Sequence, residues 1–176
     1  KSSKPLTKTA PKKTAPQKAA ATAAPKATKV PKSDCRISSG KLTGYNGSAK
    51  SIILPDGISV IGENAFLSNK SIISVVIPEG VETIEHDAFH NCPNLERVTL
   101  SGTIRKIDKS AFWGAALTSI VIPDGCEEIG VDCFAFCESL KDIYVPGSVC
   151  DIGEDAFYTR NDAMVIHTEV GSYAEE

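Results

Sequence analysis

Five phenylalanines recur at almost constant spacing between residues 66 and 157, and this periodicity constrains the fold more than any other feature of the chain. Successive members are separated by 23, 23, 22 and 23 residues: Phe66, Phe89, Phe112, Phe134 and Phe157. The ends of short apolar segments keep the same spacings: Pro55, Pro78, Ser101, Pro123 and Pro146. So does a set of isoleucines: Ile61, Ile84, Ile107, Ile129 and Ile152. A sequence period of this length indicates stacked structural repeats.

Each repeat begins with an extended segment. In residues 140–146 apolar side chains occur at alternate positions, as expected for a half-buried strand, and Pro146 ends the ladder because it has no N–H. A turn, a second apolar pair such as Val81 and Ile84, and an Ala-Phe segment follow; we expect this last segment to be a helical or 3-10 turn. One repeat cannot bury its apolar face alone, so the repeats must stack. We predict an α/β solenoid of about five 23-residue repeats, with a parallel concave sheet and short strands or helical turns on the convex side.

The units resemble the BspA-like leucine-rich repeats. The resemblance lies in the core I-P-x-x-V-x-x-I-G-x-x-A-F-x-x-C and covers residues 35–176, with Ser101 in place of a proline and Cys133 in place of the usual alanine. Residues 40–47 look like that family's N-terminal capping segment, and residues 171–176 look like its C-terminal end, cut short. The resemblance implies a leucine-rich-repeat fold. Similar proteins occur in gut and oral bacteria and in some protozoan parasites, and many of them are surface proteins implicated in adhesion.

Composition divides the chain into parts with different roles. Residues 1–33 contain nine lysines and no acidic or aromatic residue, whereas residues 34–176 contain ten basic and 22 acidic residues, a net charge of −12. We predict a disordered linker over residues 1–34, a capping segment over 35–51, leucine-rich repeats over 52–168 and a truncated C-terminal cap over 169–176. No run of the roughly 18 apolar residues that span a bilayer is present.

The lysine-rich leader suits several anionic partners. Its lysines can neutralise phosphates, but without arginine or aromatic side chains they are poorly equipped to read bases. The same charge suits anionic cell-wall polymers, membranes or the acidic repeat domain. We predict a plain solvated tether with no specific nucleic-acid partner.

The six cysteines look functional until they are placed in the repeat. Cys92, Cys126, Cys133 and Cys137 occupy core positions, and Cys35 lies in the capping segment where an apolar residue would pack. Cys150 occupies a variable column that should face solvent. The spacing C-x6-C-x3-C, of Cys126, Cys133 and Cys137, matches no common zinc pattern. We therefore predict free thiols that fill the core, with a disulfide as the second interpretation and no metal.

His86 and His90 have the i, i+4 spacing that chelates a metal on a helix. Asp87 stands where an H-E-x-x-H motif has glutamate, and both histidine columns vary freely between repeats. Two surface histidines are therefore the favoured interpretation. No nucleophile–His–acid set or phosphate-binding loop stands out, so we predict no catalytic, cofactor or metal site.

Outward positions of the first strand are the favoured contact surface, because alternate residues of a strand point away from the core. The more apolar set, which we call the concave column, comprises Ile53, Val76, Thr99, Val121, Tyr144 and His167. A second outward column comprises Ser51, Ser74, Arg97, Ser119, Asp142 and Val165. An apolar stripe beside charge is typical of binding patches, although strand propensity alone also favours β-branched residues here. We predict partner contacts at Ile53, Val76, Arg97, Thr99, Val121, Asp142, Tyr144 and His167.

Trp113 lies in another outward column. The favoured interpretation is that its ring covers the turn of the 22-residue repeat, where one residue is missing. A second contact site is the alternative.

Together these features predict a non-catalytic protein-binding or adhesion module. The alternative is a structural spacer or recognition appendage of a larger protein, joined through the basic linker. We expect a monomer without cofactor that binds a protein or a host or cell-surface ligand. The family resemblance favours the cell surface or secretion, whereas unpaired cysteines favour a reducing compartment such as the cytoplasm.

Overall fold

The repeats build a solenoid, in a computed structural model that describes residues 27–169 and Ser172. It has about six coils at a spacing of about 23 residues and contains little helix, which confirms the predicted leucine-rich-repeat architecture and adds one coil to the five expected. Most of the predicted linker and C-terminal cap lies outside the described residues, so the domain boundaries there stay predictions. Within the described residues the one helical element is a 3-10 helix, Lys32–Asp34.

Short parallel strands build the concave side in two laddered groups. The first group is β1 (Thr28–Lys29), β4 (Ser51–Ile53), β6 (Ser74–Val76) and β8 (Arg97–Thr99). The second group is β10 (Ser119–Val121), β12 (Asp142–Val145) and β14 (Val165–Thr168). Equivalent positions of successive repeats are paired, as Val76 is with Thr99. The ladder is interrupted between β8 and β10, after the repeat that lacks one residue, although the Thr118 N–H still donates to the Glu96 carbonyl at 3.1 Å.

A continuous sheet runs along the convex side. Its strands are β2 (Cys35–Ser38), β3 (Lys41–Tyr45), β5 (Val60–Ile61), β7 (Thr83–Ile84), β9 (Lys106–Ile107), β11 (Glu128–Ile129) and β13 (Asp151–Ile152). All neighbours are parallel except β2 and β3, which form an antiparallel pair at the N-terminal end. This hairpin is where the sequence predicts the capping segment, and β3 also stacks in register on β5.

The Ala-Phe segments differ from the predicted helical turns. In the second coil the Ala65 N–H donates to the Gly62 carbonyl and the Leu67 N–H to the Asn64 carbonyl, each at 3.1 Å. Asn64 and Ser68 have φ values of 59° and 54°, in the left-handed region. Residues with left-handed φ values cannot belong to a right-handed helix, so the segment is a series of tight turns. Asparagine, aspartate and serine suit such turns because their side chains also bond nearby backbone.

The core consists of columns of equivalent apolar side chains between the two sheets, some of them identical in successive coils. The phenylalanine rings stack nearly parallel, with centroids 4.7 Å apart for Phe66 and Phe89 and 5.1 Å apart for Phe89 and Phe112. The column ends at Phe157, which is half-buried, whereas the inner rings are at most 2% exposed. Stacking therefore buries the apolar face that a single repeat exposes, as the periodicity predicts.

Candidate functional site

The concave column runs through both groups of concave strands, with a break in the pairing between Thr99 and Val121. Ile53 is paired with Val76, Val76 with Thr99, Val121 with Tyr144, and Tyr144 with His167. Thr99 is exposed, and the other five members are half-buried: Ile53, Val76, Val121, Tyr144 and His167. The core side chains of the same strands are almost fully buried, so the residues of the concave column face away from the core.

The C-terminal end of this row carries its most specific chemistry. The rings of Tyr144 and His167 stack with centroids 4.3 Å apart and planes 9° apart. His167 Nε2 lies 2.8 Å from Asp142 Oδ1, so the carboxylate fixes the orientation of the imidazole. Burial, and next the charge of Asp142, raise the pKa of Tyr144, which keeps the phenol neutral and able to donate a hydrogen bond. This corner therefore offers a flat apolar surface with a polar rim.

The second outward column is less accessible than its sequence indicates. Ser51 and Ser74 are only 8% and 5% exposed, so they do not contribute a solvent-facing polar surface. Arg97 and Asp142 are half-buried, as contact residues at the edge of a patch would be. The Arg97 Nε and the Ser51 Oγ have no hydrogen-bond partner among the described residues. Neither Ser51 nor Ser74 is among the predicted contact residues, which therefore stay a prediction.

Lys29 extends the concave row, which sequence reasoning missed. In β1 it is paired with Ile53, and its ammonium forms an ion pair with Asp56. The next residue, Val30, is 4% exposed and donates its backbone N–H to the Ile53 carbonyl at 3.0 Å. Both residues lie in the predicted disordered linker, whose lysine-rich composition gives no sign of a strand. Backbone pairing and one apolar side chain suffice to hold them.

The cysteine positions agree with the repeat alignment. Cys35, Cys92, Cys126, Cys133 and Cys137 are buried, Cys150 is exposed, and all six are free thiols. Burial raises the pKa of Cys92 and Cys137 to about 12 and that of Cys126 to about 11. Burial also raises the pKa of Cys133 well above its usual value. The buried thiols therefore stay protonated near neutral pH and act as small apolar side chains.

We expect a single fast-reacting thiol in the native protein. A thiol-specific aromatic disulfide reagent at mildly alkaline pH should modify Cys150 rapidly and the five buried cysteines only as fast as the protein unfolds, because thiolate is the reactive form. The variant Cys150→Ser should lose the fast phase. Unfolded, unreduced protein should titrate with six thiols, and a lower number would show that a disulfide forms.

His86 and His90 are joined by Asp87 rather than arranged around a metal. His86 Nε2 lies 2.9 Å from Asp87 Oδ2, and His90 Nδ1 lies 3.0 Å from Asp87 Oδ1. In residues 27–169 and Ser172 no group of three or more His, Cys, Asp or Glu side chains is arranged to hold a metal ion. The Asp87 carboxylate is thus already used in fixing both rings.

Trp113 belongs to a row of rings beside the core. Its indole stacks on His90 at 4.6 Å and contacts Phe136 at 5.0 Å, and Phe136 in turn meets Tyr158 edge-on at 5.2 Å. This agrees with a covering role for Trp113, whose ring is half-buried. The backbone keeps Ala135 in register with Trp113, since the Asn91 N–H donates to the Trp113 carbonyl and the Gly114 N–H to the Ala135 carbonyl. Ala135 has no ring and is fully buried, and the ring of the next residue, Phe136, fills its place between Trp113 and Tyr158.

The part of the chain that the structure describes contains no helix long and apolar enough to cross a membrane.

Comparison with known proteins identifies a repeat family. The sequence profile described as the BspA type leucine rich repeat region matches residues 40–163 in six copies. No curated protein matches significantly. The first of the six copies begins before the five phenylalanine-centred repeats, where Leu42 is paired with Ile61 and the Tyr45 ring lies 5.5 Å from Phe66.

Several bacterial structures are similar to this chain. The leucine rich repeat protein of T. pallidum has 29% identity and a TM-score of 0.72, over 78% of this chain and 69% of that one. A leucine rich cell surface protein from Faecalibacterium prausnitzii has 35% identity and a TM-score of 0.70, over 77% of this chain and 36% of that one. A leucine-rich repeat protein from Eubacterium ventriosum shares the fold at 23% identity and a TM-score of 0.63, over 74% of this chain. The chain thus spans little more than a third of the two longer proteins, at 36% and 37%.

Proposed function

The chain belongs to the BspA type leucine-rich-repeat family, and from this premise we propose that it is a non-catalytic protein-binding module whose contact surface is the concave column. The observation that carries the proposal is the row of outward side chains in the concave strands, five of which are half-buried: Ile53, Val76, Val121, Tyr144 and His167. No segment among the described residues covers this row. Outward apolar side chains in a parallel sheet are explained either by strand propensity or by contact with a partner.

The composition of the row supports a partner rather than propensity alone. Propensity accounts for Ile53, Val76, Val121 and Tyr144, but not for His167, which stacks on Tyr144. Tyrosine beside a histidine held by a carboxylate offers both apolar area and hydrogen bonds, a combination enriched at protein contacts. The predicted contacts Arg97 and Asp142 lie at the border of the same row. We place the centre of the contact at Tyr144 and its border at these two charges.

The variant Val76→Glu should reduce capture of the native partner at least about tenfold, since a carboxylate buried in an apolar contact costs more than about 1.4 kcal/mol. Val76 lies outward and half-buried, so the fold should remain intact. The matched control is Thr83→Glu, a half-buried outward position of the convex strand β7 in the same coil. Partners captured from cell extract would be quantified for both variants after circular dichroism confirms folding. Equal capture by Val76→Glu and Thr83→Glu would remove the concave column as the contact surface.

Adhesion at a cell surface is the setting we propose for this module. The similarity to a cell surface protein of Faecalibacterium prausnitzii supports this setting. As the chain spans 36% of that protein, the contact surface described above is proposed for the repeat region alone, and a recognition appendage within a larger protein is the alternative. The free thiols are compatible with either setting because five of the six are shielded from oxidants.

A further inference from the structure

We infer that the concave face binds an extended, lysine-rich polypeptide segment whose ammonium groups lie along one border of the face. This inference rests on the proposed function, in which the concave column is the contact surface. It specifies the charge and the conformation of the partner.

A row of carboxylates borders the C-terminal ends of the concave strands. We call it the acidic margin, and its four members are all exposed: Asp56, Glu79, Asp124 and Glu169. Within the described residues Asp56 is paired with Lys29, whereas Glu79, Asp124 and Glu169 form no ion pair. Among the described residues, these three carboxylates along one border of the concave face therefore have no cationic partner.

The acidic margin is continuous although two coils lack an acidic residue in these turns. Gly102 and Gly147 occupy the two positions, and a neighbouring carboxylate lies over each. The Gly102 N–H donates to Glu79 Oε1 at 3.1 Å, and the Glu169 carboxylate lies where a Cβ of Gly147 would be. Successive members are one, two and two coils apart, a mean separation of roughly 8 Å at the usual strand separation. An extended chain advances about 6.7 Å in two residues, so alternate side chains of a partner are spaced on the same scale as the row.

Lys29 shows how a lysine reaches the acidic margin. It lies in an extended segment at the level of the concave sheet, is paired with Ile53, and directs its ammonium to Asp56. A partner segment that lies across the concave column is oriented differently from β1, which is paired beside β4, but its lysine side chains are as long as that of Lys29 and would reach Glu79, Asp124 and Glu169. Its alternate, apolar side chains would then face Val76 and Val121.

The opposite border of the concave face lies at the N-terminal ends of its strands. Its exposed residues carry both signs of charge, with Lys50 and Lys141 on either side of Glu96, so this border does not favour partners of one charge. Two further described cations lie near the acidic margin: Lys32, which lines a surface depression with Lys29 and Asp56, and Arg105, which donates to the Gly125 carbonyl at 3.1 Å. The asymmetry between the borders therefore favours a cationic partner and fixes the side on which its charges lie.

Short peptides of alternating lysine and valine test the inference on the full chain. Matched peptides carry glutamine or glutamate in place of lysine, and affinities are measured by fluorescence anisotropy. The lysine peptide should bind about tenfold more tightly than the glutamine peptide, because each new ion pair contributes a fraction of this factor. Added salt should weaken the binding of the lysine peptide selectively. The glutamate peptide should bind most weakly. Equal affinities for the lysine and glutamine peptides, or no binding of the lysine peptide, would overturn the inference.

Two double variants locate the effect. The double variant Glu79→Gln with Asp124→Asn should lower the affinity for the lysine peptide about tenfold. The control is Glu82→Gln with Glu127→Gln, at exposed positions beyond the turns. It changes the net charge by the same amount and should have little effect on the affinity. An equal loss in both would overturn the acidic margin as the site. The neutral variant Tyr144→Ala should weaken the lysine and glutamine peptides alike. If Tyr144→Ala weakens binding while the native protein binds the lysine and glutamine peptides equally, the inference about charge is wrong. The proposal that the concave column is the contact surface would remain.

Discussion

Replacing Phe112 by alanine is expected to lower the free energy of unfolding by roughly 3–5 kcal/mol, the usual loss for a buried aromatic side chain. Phe112 has no exposed surface, and its ring lies parallel to those of Phe89 and Phe134 at 5.1 and 5.4 Å. The backbone ladders hold the coils on both sides in place, so the cavity cannot close by collapse. Denaturant titration would measure the loss, and thermal unfolding should shift by on the order of 10 °C.

The matched control is Phe157→Ala at the C-terminal end of the same ring column. Phe157 is half-buried and stacks on Phe134 alone among the described residues, at 6.0 Å. Removal of the Phe157 ring should lower the free energy of unfolding by about 1 kcal/mol, because folding buries little apolar surface of this side chain. Equal losses for the two variants would show that stacking between coils does not stabilise the central phenylalanines.

The repeat alignment predicts most of this fold because parallel, in-register stacking turns sequence columns into spatial columns. Cys133 could be assigned to the core from its alanine equivalents, and Cys150 to the surface from its variable ones, and both assignments are confirmed. The same argument predicts the concave column, whose members are paired in the sheet except across the interruption between β8 and β10. The role of that column in binding stays a proposal, because periodicity fixes position and not partner.

Positions that depend on local backbone or on contacts outside the repeat could not be predicted in this way. Phe136 supplies the ring that Ala135 lacks in the outer row, although the alignment assigns that column to Ala135. Ser51 and Ser74 lie in an outward column, yet they are buried, which no alternation of strand residues reveals. Lys29 joins the concave sheet through backbone pairing, which is independent of side-chain composition. The acidic margin likewise emerges only when Glu79 is seen to lie over Gly102.

Gly130→Ala is expected to destabilise the solenoid by about 2–3 kcal/mol, the upper part of the range for overpacking. A Cβ on Gly130 would lie 2.4 Å from the backbone nitrogen of Lys109 and 2.6 Å from the carbonyl carbon of Asp108 in the preceding coil. Neither atom can move without disturbing β9, because the Gly130 N–H donates to the Ile107 carbonyl at 2.8 Å. The control is Gly102→Ala, whose Cβ would meet nothing closer than the Glu79 carboxylate at 3.9 Å and should leave stability unchanged or slightly raised. Urea denaturation of both variants measures the difference in stability. Similar denaturation midpoints would mean that the two coils can move apart locally without a loss of stability. The close backbone approach at Gly130 would then not require glycine.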